Sequence, residues 1–422
     1  MSSSESPANR GGAVVGRGHR PVQPPMLTNP QLVTAMGHPT RAHAVTVLNE
    51  RVACAAEIGR ELGRPARHVS YHLKQLEKLG VIELVRVAET AGGRTTGRYY
   101  RALVRSWYDP ESWKQISREH QPGITADILA SCNADMAAAV RAGTIHEVDN
   151  HISRTPLILE RDGYRELVGR LDDLLAEVIE AQQRSAARMT REGETVLTKV
   201  HVIQFPSPDP GSRSTPIVAG PSASGPPDLD EGVALAALEH PTRVHSLMVL
   251  NERIASAAEI GRELGRTSDH VSYHLKKLRS LGLIELVEVA ETPGGRTTGK
   301  YYRARIRPWF DLRSWKAVDP RRQAAITSTM LALCNADIAE AVLAGTIDDE
   351  DSHISRTPMI LDRKGFRELG GLLDHALAEV LSIQQRSVGR IEDGAAPVAT
   401  KLHLFQFESP DPERSGQPAG TR

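Results

Sequence analysis

The chain has 422 residues, of which 40% are hydrophobic and 25% charged, and this length predicts roughly two to four globular domains. No continuous apolar run approaches the roughly 18 residues that a membrane span needs, and the opening stretch MSSSESPANRGG lacks the apolar core of a signal peptide. We therefore expect a cytoplasmic protein with no membrane partner. Three cysteines, Cys54, Cys132 and Cys334, are too few and too scattered for a disulfide framework or a CxxC metal site.

The formal net charge is zero, but the charges are unevenly distributed along the chain. Residues 30–105 hold 12 Lys/Arg against 6 Asp/Glu, and residues 232–307 hold 12 against 8. The remainder of the chain is acidic. A surface that binds phosphate is therefore expected to be local to these two basic segments.

In chain order, residues 1–27 lack periodicity and predict a disordered arm. A short helix ends near Met36, and Pro39 is placed to start a second helix over residues 42–48. A third helix over residues 55–62 ends at Gly63, and a fourth follows over residues 67–79. Two β-rich runs, residues 81–90 and 98–104, flank the Gly-rich stretch AGGRTTG and predict a hairpin. Helix, helix, turn, helix and hairpin in this order make a winged helix-turn-helix.

The fourth helix is predicted to be the one that reads DNA. Val69, Leu73 and Leu76 fall at i, i+4 and i+7 and make one apolar stripe. The opposite face carries hydrogen-bond donors and cations, which suits the major groove. The hairpin, with Arg94 and Arg98, is expected to meet phosphates or a minor groove.

A different pattern follows up to residue 205. It predicts a helix over residues 123–142, a short strand over 155–159, a long amphipathic helix over 163–189 and a final strand over 196–205. This small α/β module carries no catalytic motif, and we expect no enzyme activity. The apolar face of its long helix fits burial within its own core or against another copy of the module.

The whole unit then occurs a second time at a constant offset of 202 residues. The repeated motifs are AAEIGRELGR, HVSYHLK, GGRTTG, CNAD, HISRTP and QQRS. Duplication without insertion predicts one fold for both copies. The predicted fold class is α+β, with two tandem units, each a winged helix-turn-helix followed by a small α/β module with a long amphipathic helix. The predicted boundaries are an arm at 1–27, winged helices at 28–105 and 231–307, modules at 106–205 and 308–408, a Pro/Ser/Gly linker at 206–230 and a disordered tail at 409–422.

MGHPTRAHAVTVL, AAEIGRELGR, HVSYHLKQLEKLGVIELV and the GGRTTGRYY wing together resemble the ArsR-type winged helix-turn-helix transcriptional regulators. The resemblance covers about 75 residues per copy and implies a dimeric, effector-controlled repressor that binds double-stranded DNA. The metal-sensing members carry a Cys-x-Cys where this chain has only Cys54, with Ser256 in the second copy. Soft-metal sensing at that position is therefore not expected. No cofactor is expected either. The two copies could pair within one chain, as an intrachain pseudo-dimer, or between chains, as a homodimer.

The candidate DNA contacts lie on the two reading helices and in the wings. In the first copy they are Arg67, His68, Ser70, Tyr71, Lys74, Gln75, Arg94 and Arg98. In the second copy they are Asp269, His270, Ser272, Tyr273, Lys276, Lys277, Arg296 and Lys300. For the two tyrosines, packing under the wing is the alternative role. Arg67 corresponds to Asp269, and arginine favours guanine whereas aspartate does not, so we predict an imperfect palindrome with half-sites about one helical turn apart.

Two further motifs leave alternatives open. His146, Asp149 and His151 could bind zinc, or could form a polar loop before a strand; the second copy has Asp348 in place of His146, which weakens the zinc interpretation, and no metal site is predicted. HISRTP could line an effector pocket, or could bond the module to a neighbouring winged helix, and we favour the structural role. The alternative function for the whole chain is a protein-interaction scaffold that uses its winged helices as adaptors.

Overall fold

The structure is a computed structural model that describes residues 29–89, 96–103, 110–146, 149–189, 195–208, 231–238, 240–291, 298–305, 318–349 and 351–410. Two helix-rich units flank one central body. We call residues 29–103 the first winged helix, residues 231–305 the second winged helix, and residues 110–208 with 318–410 the central body. The α+β class predicted from the sequence is confirmed.

The first winged helix contains four helices and three short strands within its described residues. These are α1 (Asn29–Met36), α2 (Pro39–Glu50), β1 (Ala53–Cys54), α3 (Ala55–Glu61), α4 (Ala66–Lys78), β2 (Ile82–Glu89) and β3 (Thr96–Ala102). The sequence predicted β2 and β3 but missed β1, which pairs antiparallel with β3 and makes the sheet three-stranded. The tip of the wing, residues 90–95, lies outside the described residues.

Local chemistry sets the ends of these helices. His38 precedes α2, and its Nδ1 accepts a hydrogen bond from the backbone N–H of Thr40 at 3.2 Å, while Pro39 occupies the first turn. The backbone N–H of Cys54 donates to Glu57 Oε2 at 3.0 Å at the start of α3. Gly80 ends the reading helix α4 with φ +71°, a backbone conformation that costs glycine little.

The second winged helix repeats this arrangement. Its elements are α8 (Glu231–Leu238), α9 (Pro241–Leu250), β6 (Ala255–Ser256), α10 (Ala257–Leu264), α11 (Ser268–Ser280), β7 (Ile284–Glu291) and β8 (Thr298–Ala304). His240 caps α9 as His38 caps α2, and Ser256 replaces Cys54 at the cap of α10. Cys54 therefore stands at the helix-capping position of Ser256, whose side chain accepts a capping hydrogen bond from the backbone N–H of Glu259 at 3.3 Å.

The central body contains helices and strands from both copies. The first copy supplies α5 (Pro110–Gln115), α6 (Gln121–Ala142), β4 (His151–Leu159), α7 (Arg161–Arg188) and β5 (Thr195–Pro206). The second supplies α12 (Pro320–Ala344), β9 (His353–Asp362), α13 (Arg363–Glu392) and β10 (Val398–Glu408). Strands β4 and β9 begin four residues or so before the predicted strand because HISRTP is itself part of each strand.

The four long strands form one antiparallel sheet in the order β4-β10-β5-β9. Neighbouring strands therefore always come from different copies. Val202 faces Leu404, its own counterpart, where β5 pairs with β10. The pseudo-twofold axis of the duplication passes through this pair, and the two copies are interleaved within one chain.

The two faces of the sheet are covered by different helix pairs. On one face α7 packs against α13, and their apolar stripes enclose a shared core in which Leu171 and Leu373 are fully buried. On the other face, residues of α6 and α12 pack with sheet residues such as Phe205 and Phe405. The sequence left open whether the long apolar helix face packs in its own module or against the other copy. It packs against both, in one core that contains strand residues of its own module, such as Val202, and helix residues of the other copy, such as Leu373.

Helix α12 is long and apolar enough in composition to cross a membrane. Within this fold, however, Leu331, Cys334, Ile338 and Ala341 of α12 are buried in the central body. Its Asp337 takes part in an ion-pair network described below. These contacts are those of a core helix.

Replacing Gly365 by alanine is expected to lower the free energy of unfolding by about 1–3 kcal/mol, the usual range for overpacking. A Cβ at Gly365 would lie 2.7 Å from Ser185 of the other copy's long helix and 2.8 Å from Asp362 Oδ1. The matched control is Gly371→Ala in the same helix, where a Cβ meets nothing within 4 Å. Urea unfolding should show the control unchanged or more stable by up to about 1 kcal/mol, and equal stability of both variants would contradict the interleaved packing.

Candidate nucleic-acid interface

The first reading helix, α4, has one buried face and one exposed face. Val69, Leu73 and Leu76 are buried against the rest of the winged helix, as predicted. Arg67, Tyr71, Lys74 and Lys78 recur at i, i+4, i+7 and i+11 and are all exposed. Ser70 and Gln75 flank this stripe and are half-buried. The exposed stripe carries three cations and one aromatic ring on one side of a helix.

The second reading helix, α11, exposes an equivalent stripe with different charges. Its members are Asp269, Tyr273, Lys276 and Ser280, all exposed. Lys277 and Arg279 are also exposed beside it, and Ser272 is half-buried. The stripe of α4 therefore bears three cations, whereas that of α11 bears one cation and one carboxylate. The two stripes occupy equivalent helix positions but differ in charge.

Tyr71 and Tyr273 are among the most exposed large side chains of the described residues, at 59% and 69%. Each ring makes a T-shaped contact with the neighbouring histidine ring, with centroid distances of 5.2 Å to His72 and to His274. Packing under the wing, the alternative role of these tyrosines, would bury the rings, whereas more than half of each side chain is exposed. Two exposed aromatic rings at equivalent positions are available to a ligand.

The cations of the wings differ between the copies. Arg98 Nη2 lies 3.1 Å from Glu77 Oε1 of the reading helix, and its guanidinium carbon lies 5.8 Å from the Tyr100 ring centroid. Lys300 replaces Arg98 in the second copy, and Arg279 replaces Glu77. Neither has a carboxylate partner among the residues that the structure describes. The predicted contacts Arg94 and Arg296 lie outside the described residues.

A histidine cluster joins each reading helix to the start of the helix that supports it. In the first copy the His72 ring centroid lies 4.3 Å from that of His38 and 4.7 Å from that of His68. His68 Nε2 lies 3.3 Å from Thr40 Oγ1, and His270 makes the same contact with Thr242 at 3.2 Å. The predicted DNA contacts His68 and His270 are thus held by the supporting helix at the edge of the reading face.

In the second copy, ligand nitrogens of His240, His270 and His274 lie within 4.8 Å of one another, as in a site that could hold a metal ion. A zinc ion would need these nitrogens as ligands at about 2.0–2.1 Å. His240 Nδ1 also accepts from Thr242 N at 3.1 Å, and His270 Nε2 is engaged with Thr242 Oγ1. The hydrogen bonds give the cluster a structural role in positioning the reading helix.

Acidification is expected to destabilise the protein through His72 and His274. Burial, and then the neighbouring histidines and an arginine, lower the pKa of each to about 4. Because the folded pKa lies below the ordinary value of 6.5, the unfolded state takes up protons first. The stabilisation is complete above pH 6.5 and declines as the pH falls towards 4.

Urea unfolding at pH 7 and pH 5 measures this effect. The variant His72→Gln, His274→Gln should lose less stability between the two pH values than the parent. The matched control is His375→Gln, which changes an exposed histidine of α13 and should leave the parent's pH dependence intact. A double variant whose stability falls as steeply as the parent's would show that these histidines do not titrate as described.

Buried ion-pair networks tie each winged helix to the strand of the opposite copy. Arg356 of β9 makes two bonds to Asp135 of α6, at 2.6 and 2.9 Å, and also pairs with Glu50 at the end of α2. Lys199 of β5 pairs with Glu50 and lies 3.5 Å from Asp135. His201 Nε2 lies 3.2 Å from Asp135 Oδ2. Glu50 is the contribution of the first winged helix.

The second network is equivalent. Arg154 of β4 makes two bonds to Asp337 of α12, at 2.6 and 2.7 Å, and pairs with Glu252 of the second winged helix. Lys401 pairs with the same glutamate, and His403 Nε2 lies 3.0 Å from Asp337. Each arginine therefore bonds to an aspartate of a central-body helix and to a glutamate of a winged helix, both from the other copy. The orientation of both reading helices depends on the shared sheet.

The first network shifts the pKa values of its aspartate and its histidine. Burial by itself would raise the pKa of Asp135, but hydrogen bonds from His201 and Arg356 and the charge of Lys199 bring it well below its usual range. Burial outweighs the pull of Asp135 and lowers the pKa of His201. His201 is therefore neutral at pH 7, and its Nε2–H donates to the carboxylate. Its Nδ1 has no hydrogen-bond partner among the described residues.

Most members of these networks were not predicted from the sequence. HISRTP was singled out, and Arg154 takes the structural role that we favoured by bonding to the winged helix of the second copy. Asp135 and Asp337 are the last residues of the repeated CNAD motif, which was the available signal. In the HISRTP strand, His151 Nδ1 lies 2.9 Å from Asp374 and Nε2 lies 3.0 Å from Ser153. These contacts occupy both ring nitrogens that the zinc alternative needed.

Comparison with known proteins agrees with this geometry. Residues 38–83 and 240–285 match the family described as bacterial regulatory protein, arsR family. Both matches cover the helix-turn-helix and end at the first strand of the wing. No curated protein matches the chain significantly.

Proposed function

We propose that this chain is a repressor that reads two non-identical half-sites with a single chain. The premise is that both helix-turn-helix domains belong to the arsR family of bacterial regulatory proteins, which makes the chain a DNA-binding transcription regulator. The reading surfaces are the exposed stripes of α4 and α11. The observation that carries the proposal is the pairing of two unlike stripes, Arg67-Tyr71-Lys74-Lys78 and Asp269-Tyr273-Lys276-Ser280, on one interleaved body.

The interleaved sheet supports the single-chain part of the proposal. A dimeric regulator brings two identical reading helices to two half-sites through its subunit interface. Here the corresponding partner is the second copy of the same chain, because β4, β10, β5 and β9 alternate between the copies. The networks around Arg154 and Arg356 then fix both winged helices to that sheet.

Selection of bound genomic fragments, followed by gel shift at increasing salt, tests the proposal. Specific binding should weaken steeply with salt because cation–phosphate contacts release counterions. The selected sites should contain two different half-sites about one helical turn apart. Salt-insensitive association, or no enrichment of any DNA sequence, would contradict the proposal and favour the protein-interaction scaffold.

Exchanging Arg67 and Asp269 in the double variant Arg67→Asp, Asp269→Arg should exchange the base preferences of the two half-sites. An arginine that pairs with guanine in the major groove discriminates against another base by about 1–3 kcal/mol, and an aspartate does not make that contact. Footprinting on the parent operator and on an operator with the half-sites swapped measures the change. The variant should prefer the swapped operator. Identical preferences of parent and variant would show that these positions do not read bases.

A further inference from the structure

A cavity of about 160 Å³ lies between the first winged helix and the central body. Its walls come from α2, α6 and α7 of the first copy and from residues 347–358 of the second copy. The cavity is therefore bounded by both copies and by the helix that supports the first reading helix. A dry cavity of about 150 Å³ in a protein core holds one benzene ring, so the size suits a molecule with a single ring.

Two buried polar atoms of lining residues have no hydrogen-bond partner among the described residues. They are Nε2 of His43, on the first winged helix, and Oδ1 of Asp348, on the second copy. The nearest carboxylate to His43 Nε2 is that of Glu61 at 4.0 Å, beyond hydrogen-bond range. Buried polar atoms are nearly always satisfied, so an unpaired acceptor beside a cavity points to a donor that the cavity admits.

The charges of the wall favour a cation. Asp127, Asp172, Asp349 and Asp351 line the cavity together with Asp348. The one arginine among the described residues of the wall, Arg356, is already paired with Asp135 and Glu50. Desolvation raises the pKa of Asp127 and lowers that of His43, so removal from water disfavours charge on both groups. A bound cation would favour the ionised form of the Asp127 carboxyl.

The apolar part of the wall differs between the two copies. Ala42 and Thr46 of α2 correspond to Val244 and Met248 of α9. Val244 is buried with Val318 and Ile326, and Met248 packs against that cluster. Small residues in the first copy thus leave open a space where the second copy places larger side chains. Asp127 and Asp348 likewise correspond to Thr329 and His146, so the acidic pair is specific to this cavity.

We propose that this cavity is a binding site for a small organic cation, an ammonium group on a single-ring or comparably sized apolar body. The ammonium donates to Asp348 and faces Asp127, and the apolar body lies against Ala42, Thr46 and Ile124. The site joins the first winged helix to the central body, so its occupancy acts on the position of one reading helix. The regulatory step rests on the proposed DNA-binding function, and the binding step does not.

Calorimetric titration of the full chain with benzylamine tests the binding step without DNA. One molecule should bind per chain, and benzyl alcohol and benzoate should bind at least about tenfold more weakly, because a desolvated charged hydrogen bond contributes more than a neutral one. Thr46→Met, which installs the second copy's own residue, and Asp348→Asn should each weaken binding by about tenfold or more. The control His146→Asn, at the first-copy counterpart of Asp348, should bind as the parent does.

Absence of saturable binding up to about 10 mM, a generous limit for a fragment of this size, would overturn the site. The site would also be overturned if a Thr46→Met variant that urea unfolding shows to be folded bound benzylamine with unchanged affinity. A gel shift with saturating benzylamine tests the regulatory step: operator affinity should change for the parent and not for Thr46→Met. Unchanged affinity in both would overturn the regulatory step, and a chain that binds benzylamine but no DNA would count against the proposed function instead.

Discussion

The double variant Lys74→Glu, Lys276→Glu is expected to bind its operator about 100- to 1,000-fold more weakly than the parent, since two hydrogen bonds to charged phosphates are lost and each contributes about 1.5–3 kcal/mol. Both lysines are exposed at equivalent positions of α4 and α11, one turn beyond the exposed tyrosines. Reversing the charges takes away two cations that face phosphate and adds repulsion. The slope of log affinity against log salt should fall by about 0.9 for each phosphate that the variant no longer neutralises.

The matched control reverses two charges outside the reading surface. Lys364→Glu, Arg367→Glu changes the net charge by the same amount on exposed positions of α13. This control should keep the salt slope of the parent, although its general attraction to DNA declines slightly. Equally weakened operator binding in both variants would mean that net charge, rather than the reading helices, controls the affinity.

The variants Asp135→Asn and Asp337→Asn are each expected to lower the free energy of unfolding by about 3–5 kcal/mol, the cost of removing one partner from a buried ion pair. Arg356 and Arg154 would keep their charge inside the protein, and each new amide would offer a single acceptor oxygen where the carboxylate offered two to the arginine and to His201 or His403. The pKa of each aspartate is lowered in the fold, so the stabilisation is present above its ordinary value near 3.8 and is lost as the pH falls below it.

Urea unfolding at pH 7 measures the effect. The control is Asp162→Asn, which breaks an ion pair with Arg165 in which both side chains are well exposed, at 78% and 59%. Exposed pairs contribute about 0–1 kcal/mol, so the control should stay near the parent. An Asp135→Asn variant as stable as the control would show that the network does not tie the winged helix to the sheet.

The helix-turn-helix segments could be predicted closely because their signals are local. The apolar stripe at Val69, Leu73 and Leu76 and the glycine after the helix fix the reading helix within a residue or two. The two-residue strand β1 was missed because a pair of residues carries no periodicity. The charges of Glu77 and Arg98 were visible, but their ion pair depends on the twist of the wing, which the sequence pattern does not contain.

The central body was harder to predict because its partners are distant in the chain. The β-rich run ending at Phe205 fits either copy equally well, and the choice of β10 and β9 as neighbours arises only in the folded state. HISRTP did not look like a strand because Ser153 and Arg154 interrupt the apolar pattern. The carboxylates of Asp337 and Glu252 satisfy that arginine, so a polar residue is retained in the sheet. The pairing of a strand arginine with distant carboxylates cannot be predicted from periodicity alone.

The mass of the complex on a single selected operator shows whether one chain reads both half-sites. Native mass spectrometry of the full chain, 46.0 kDa, on a duplex with both half-sites should give one chain per duplex, and footprinting of the same complex should show both half-sites protected. Two chains per duplex, or a single protected half-site per chain, would contradict the proposal that one interleaved chain carries two unlike reading helices.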